Sequence, residues 1–440
     1  MSRALALLLL CGCGPVRTSD GLRVATFQSD VTPPLGHPLC GGWAKPAEAV
    51  DAPLLLKGIV IDDGRTRCAV AALDWCVLGT KAYDAFRNRI AEGVGVPPRF
   101  VSVHCTHTHS APIADARAQE LLDASPQTLP HLDLAWLDRV SRAAGDAAKA
   151  AVGRPVTHVG AGKAKVENFA SNRRVKGPDG KIRVRWSTTK DPELRAEPEG
   201  LIDPWIRTVS FLDGATPVAR LHYYGSHPQT VSGDGRVHGD VVANARQYLE
   251  QEEGVFQIYF AGCGGNVTAG KYNDGTPEAR QRLASTFYSG MVRSVQSTSL
   301  TPVSEVEWIS QDLRLPLRVK EADYRATLAD VAKPKQARLM AAVTLAWIER
   351  SAAGPIDVSR LRVGPVDLVH LPGEPFVEYQ LYAQSIRPER FTAVAGYGEG
   401  GPWYVCTDAA YGEGGYEPGA SWVGPGVEGA LKDAIARLLK

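Results

Sequence analysis

The sequence predicts an α/β protein with a mixed β-sheet core, surrounding helices and long loops. Three observations carry this. Apolar runs of strand length alternate with helix-period runs along the whole chain, no internal repeat is visible, and turn signals separate the runs. The 44 glycines and 30 prolines include scattered pairs such as Pro33-Pro34, Gly41-Gly42 and Gly414-Gly415, which mark tight turns and shaped loops rather than a flexible linker. A chain of 440 residues with 44% hydrophobic and 22% charged residues can bury a substantial core. Its formal net charge of +1 gives no bulk attraction to nucleic acid, and no nucleic-acid partner is predicted.

The first residues read as an export signal. Arg3 supplies a positive start, residues 4–10 are apolar, and Leu10-Cys11-Gly12-Cys13 resembles a bacterial lipobox. This predicts a leader and tether over residues 1–20, lipid and peripheral membrane attachment at Cys13, and an exported protein that is periplasmic, membrane-anchored or secreted. A buried N-terminal strand and a misassigned start codon are the alternatives. No later segment is long and apolar enough to span a bilayer. Cys40, Cys68, Cys76, Cys105, Cys263 and Cys406 lack CxxC spacing, so no structural zinc cluster is expected and the choice between buried thiols and disulfides stays open.

Residues 55–62 and 68–73 form a predicted strand pair turning at Asp63-Gly64-Arg65, followed by an amphipathic helix over 81–92. The run Phe100-Val101-Ser102-Val103 is a strand that leads to Thr106-His107-Thr108-His109-Ser110. If that strand continues, the two imidazoles leave on one face before Ala111-Pro112 breaks the ladder. A second hairpin, 206–212 and 218–224, turns at Asp213-Gly214 and ends at His227-Pro228. Residues 241–252 read as a helix, 256–260 as a buried strand, and Thr276-Pro277-Glu278 as the capped start of a further helix. A helix is predicted over 335–349, and a strand over 363–371 that runs into Pro372-Gly373-Glu374.

Strand ends therefore present His107, His109, His227 and Glu374, which a mixed sheet can gather at one edge, where α/β proteins place ligands. Two histidines and a carboxylate are a common catalytic zinc set with a position left open for water or substrate. From the residues alone, Glu374 reads first as a solvated turn residue. The glycine-rich segment 261–270 follows a buried strand and can cradle an oxyanion with backbone N–H groups, or simply turn a corner.

In this order the segments resemble the catalytic domain of the neutral/alkaline ceramidases. The resemblance rests on Asp30-Val31-Thr32-Pro33-Pro34-Leu35-Gly36, Ala72-Leu73-Asp74, the 106–110 histidine motif, Asn172-Arg173, His227-Pro228, Leu371-Pro372-Gly373-Glu374, and Tyr404 with Tyr416-Glu417. It spans roughly residues 24–422 and implies one zinc hydrolase domain over 21–440, without the family's separate C-terminal β-domain. It implies Zn2+ held by His107, His227, Glu374 and Tyr404, with His109, Arg173 and Tyr416 around the scissile amide of a small-molecule or lipid N-acyl substrate. Where the family carries a serine important for catalysis, this chain has Thr268. Its extra methyl crowds attack and favours metal-activated water as nucleophile, with Thr268 as a polar aid.

Asp240 matches a family aspartate and is expected to cap the following helix, to orient a ligand imidazole, or both. Pro375-Phe376 replaces polar residues that usually follow the glutamate. The expected activity is amide hydrolysis of ceramide or a ceramide-like substrate. The alternatives are a zinc hydrolase of another ester, lactone or small N-acyl substrate, or a binding protein on the same fold. The sequence leaves the oligomeric state open.

Overall fold

The computed structural model describes residues 21–440; the expected leader over 1–20, with Cys13, lies outside the described residues. Two mixed sheets form the core. The larger has nine strands in the order Val306–Leu313, Ile356–Val363, Val366–Pro372, Phe391–Gly398, Val101–Cys105, Arg67–Leu73, Leu55–Asp62, Arg23–Asp30 and Arg154–Pro155. The smaller has five, in the order Phe256–Ala261, Thr216–Tyr224, Trp205–Asp213, His158–Lys165 and Ser299–Pro302.

The sheets pack on each other through the alternating inward faces of their strands. Ile59, Ile61 and Val70 of the larger meet Val209, Phe211, Leu221 and Ile258 of the smaller in one buried cluster, the period-2 pattern of half-buried strands. Helices Thr80–Val94 and Leu134–Ala150 pack on each other and on the larger sheet, and Pro277–Gln296 packs on the smaller. Among the described residues no helix is long and apolar enough to cross a membrane.

The two predicted hairpins form. Leu55–Asp62 pairs antiparallel with Arg67–Leu73, and the turn is fastened by Asp63, whose Oδ1 accepts from Arg65 N at 2.8 Å and Thr66 N at 2.6 Å. Trp205–Asp213 pairs with Thr216–Tyr224, with a register irregularity at Phe211/Leu212. The helix starting at Thr276 is capped as predicted, Oγ1 accepting from Ala279 N at 3.2 Å.

Two expectations need correction. The single strand over 363–371 is the junction of a hairpin: Val363 ends one strand and Val366–Pro372 is the next, with Gly364 at φ 53° in the turn. The strand before the histidine motif stops at Cys105, so the face-sharing argument for His107 and His109 does not apply. Instead Thr106 N and His107 N donate to the carbonyls of Leu73 and Trp75 at 2.8 and 3.0 Å, and the chain then turns through a left-handed His107 at φ 64°. The Leu73-Asp74 end that receives this loop is itself pinned: the Asp74 carboxylate accepts from Leu55 N and from Arg246 at 2.8–2.9 Å.

Candidate metal centre

Three loops, each leaving the end of a buried strand, converge at one point. His107 and Glu374 follow strands of the larger sheet and His227 follows Thr216–Tyr224 of the smaller, so the centre lies at the joint ends of both sheets rather than at one edge. The His107, His109 and His227 rings each offer a nitrogen within 4.8 Å of the others. Glu374 Oε2 lies 3.3 Å from Nε2 of His107 and 3.3 Å from Nε2 of His227. Tyr404 Oη lies 3.4 Å from His227 Nε2.

Backbone carbonyls fix the orientation of both imidazoles. His107 Nδ1 donates to Cys76 O at 2.8 Å, and His227 Nδ1 donates to Gly264 O at 2.6 Å. Each Nε2 is therefore the lone-pair nitrogen. Two nitrogen lone pairs and a carboxylate oxygen thus face one another in a buried space, and His107 Nε2 and Glu374 Oε2 have no hydrogen-bond partner. Lone pairs crowded in this way repel unless a cation or proton stands between them. The donor set of two imidazoles, a carboxylate and a phenol fits a borderline cation such as zinc, and these residues are the ones that would hold it.

Electrostatics agree with a ligand set. Burial, then the Arg173 charge, lowers the His227 pKa to about 4, leaving it neutral at pH 7. Burial, then His107 and His227, pushes His109 well below the usual imidazole range. Its Nδ1 donates to His107 O at 3.1 Å, which leaves Nε2 as the basic atom. Burial also raises the Tyr404 phenol, against the pull of Arg173.

The peptide segments around Glu374 set its position. Glu374-Pro375 pairs parallel with Tyr404-Val405, Glu374 directly opposite Tyr404. Gly373 sits at φ 61°, where a Cβ would fall 1.9 Å from Pro402 O, so only glycine fits the close approach of the two segments. Arg173 is 3% exposed; its guanidinium donates to Gly265 O and, through Nε, to Glu417 Oε1 at 3.2 Å. Fully buried Glu417 also accepts from Arg174 at 3.0 Å. Tyr416 stands beside it, its ring 5.6 Å from that of Tyr404.

These residues line a cavity of about 190 Å³, whose walls include His107, His109, Arg173, Glu374, Tyr404 and Tyr416. Trp43, Trp186 and Tyr416 are 50%, 51% and 36% exposed, so aromatic surface rims its mouth.

No family model and no curated protein matches the sequence. Among solved structures the molecule matches neutral ceramidase from Pseudomonas aeruginosa with a TM-score of 0.68 and 16% identity, covering 95% of this chain and 74% of that one. It matches a ceramidase complexed with C2 with a TM-score of 0.68 and 15% identity, covering 95% and 75%. The chain has a neutral-ceramidase-like fold.

On this neutral-ceramidase-like fold three sequence expectations change. Thr268 is fully buried and does not line the cavity; its Oγ1 donates to Ser187 Oγ at 2.8 Å. The glycine-rich segment turns carbonyls, not N–H groups, toward the centre: Gly264 O holds His227 and Gly265 O holds Arg173. Gly262 N donates to Tyr224 O, Cys263 N to Gln380 Oε1 and Gly265 N to Pro375 O. Asp240 starts the helix Asp240–Glu253 but orients no ligand imidazole, because carbonyls do so; its carboxylate accepts from Thr230 N and Oγ1 at 3.0 and 2.7 Å. Sequence reasoning missed Tyr397, whose ring stacks on His107 at 4.2 Å. Only a motif at that position would have flagged it.

Proposed function

We propose that the chain is a zinc-dependent amidase that cleaves the amide of an N-acyl lipid, ceramide or a ceramide-like molecule. The observation that carries this is the meeting of His107 Nε2, His227 Nε2 and Glu374 Oε2 at an aromatic-rimmed cavity. The likeness in fold to two ceramidase structures supports the substrate class.

A bound zinc ion supplies a Lewis acid that polarises the amide carbonyl and eases deprotonation of water. The neutral His109 accepts the proton of the attacking water at Nε2. As the C–O bond forms and the C–N bond breaks, the same nitrogen returns that proton to the departing amine. Arg173, its charge fixed by Glu417, and the Tyr416 hydroxyl stabilise the developing oxyanion; loss of one such donor typically costs about 100- to 1000-fold in rate. The exposed rings of Trp43 and Trp186 give an acyl chain an apolar path out of the cavity.

A second reading, an ester or small N-acyl amine as substrate, is favoured by the cavity volume of about 190 Å³, below the roughly 300–1,000 Å³ of ordinary ligand pockets. The test is hydrolysis by the purified protein with zinc of an N-acylsphingosine, a simple N-acyl amine and a matched ester, with Glu374→Gln as control. Glu374-dependent cleavage of the sphingolipid supports the proposal. Cleavage of only the smaller substrates replaces it with the second reading, and no turnover of any overturns both.

A further inference from the structure

We infer that the cavity holds a second cation site, distinct from the His107/His227/Glu374 centre, formed by Cys40, Cys76 and His109 and suited to zinc or another thiophilic divalent ion. The two Sγ atoms and a ring nitrogen of His109 all lie within 4.8 Å of one another, and all three residues line the cavity. Tetrahedral zinc, with bonds of about 2.3 Å to sulfur and 2.0–2.1 Å to nitrogen, separates its ligand atoms by about 3.5–3.8 Å. Side-chain movement of about an ångström therefore closes the set, and a fourth position stays open to the cavity.

The placement of the two cysteines is built by the backbone. Cys40 N donates to Ala111 O at 2.8 Å and Cys76 N to Pro112 O at 2.9 Å. Adjacent carbonyls just beyond His109 thus hang both thiols over the histidine loop, although 36 residues separate the cysteines in sequence. Cys40 has a φ of 45°, a left-handed conformation that strains a β-carbon residue. Both thiols are free in the structure. His109 supplies the third ligand through Nε2, since its Nδ1 donates to His107 O. An ion bound there occupies the lone pair that the hydrolytic step uses, so a filled second site and proton transfer by His109 exclude one another.

This inference goes beyond the proposed hydrolysis and is tested by binding alone. The reduced, metal-free protein is titrated with Zn2+ and, separately, with Co2+. The expected result is two equivalents of each, the cobalt form showing thiolate-to-metal charge-transfer absorption in the near ultraviolet. Cys40→Ser and Cys76→Ser each lose that band and one equivalent, whereas Glu374→Gln keeps the band and weakens the other equivalent. Zinc also slows alkylation of Cys40 and Cys76 in the unsubstituted protein, read by mass spectrometry, which holds even where a variant folds poorly. A cobalt spectrum without the thiolate band, binding unchanged in both cysteine variants, or alkylation unchanged by zinc overturns the inference. So does a Cys40–Cys76 disulfide that forms in the presence of stoichiometric zinc.

Discussion

Glu374 and Tyr404 lie directly opposite one another in a two-residue parallel pairing, with Glu374 N donating to Trp403 O at 2.9 Å. The carboxylate and the phenol are thereby delivered to the same centre by backbone register rather than by side-chain reach. Tyr404→Phe keeps the ring and the pairing and removes only the hydroxyl 3.4 Å from His227 Nε2. Zinc affinity is expected to fall at least about 10- to 100-fold, the range seen for loss of groups that merely support a ligand. Titration against a competing chelator measures this; an unchanged affinity would remove Tyr404 from the ligand set.

Gly265 tests whether the glycine loop serves the centre. A Cβ there would lie 2.4 Å from Glu374 O and 3.0 Å from Pro375 O, and the same residue's carbonyl receives Arg173. Gly265→Ala must therefore push the Glu374 segment away from the histidines. Zinc binding is expected to weaken by tenfold or more, roughly, while the far-ultraviolet circular dichroism stays native-like, since displacements of about 1 Å at a site are costly. Wild-type affinity in this variant would show that the segment yields without cost.

How much of this was legible before the structure depends on the kind of signal. The hairpins at Asp63-Gly64 and Asp213-Gly214 were readable because local turn chemistry fixes them. Phe391–Gly398, a central strand of the larger sheet, has no strand prediction above, because its FTAVAGYG run has two glycines and no alternation. It is buried on both faces, where periodicity is silent. In the candidate site, His107, His227 and Glu374 were visible as polar residues at strand ends. The roles of Gly264 and Gly265 were not, since a carbonyl acceptor leaves no mark on residue identity, and the approach of Cys40 to Cys76 depends on loops that only the fold brings together.

Glu417 carries the placement of Arg173. It is fully buried and accepts from both Arg173 and Arg174. Glu417→Gln leaves the buried Arg173 guanidinium without its paired carboxylate, while Arg174 keeps Glu413 at 3.2 Å, and removing one partner of a buried ion pair costs about 3–5 kcal/mol. Chemical denaturation should register a loss of that order. A change below about 1 kcal/mol, the worth of an exposed pair, would mean that solvent or a neighbour takes over the charge.

Acid should destabilise the metal-free protein between about pH 6.5 and pH 4. Burial is the first cause that lowers His104, His131 and His222 from 6.5 to about 4. The folded state then binds fewer protons at these groups than the unfolded chain, so their contribution is present above pH 6.5 and lost as pH falls through 4. Four carboxyls act the other way: burial raises Glu399 from 4.5 to about 7 and Asp115 from 3.8 to about 6, and lifts Asp84 and Glu378 above their ordinary values, so protonating them favours the fold. The histidines win by number, because His37 and His370 are lowered by burial as well. Denaturation midpoints at pH 7.5 and pH 4.5 should show the loss. Glu399→Gln removes one opposing group, so its loss over the same interval should be larger than that of the unsubstituted protein; an equal or smaller loss would mean that Glu399 is already ionised across the range.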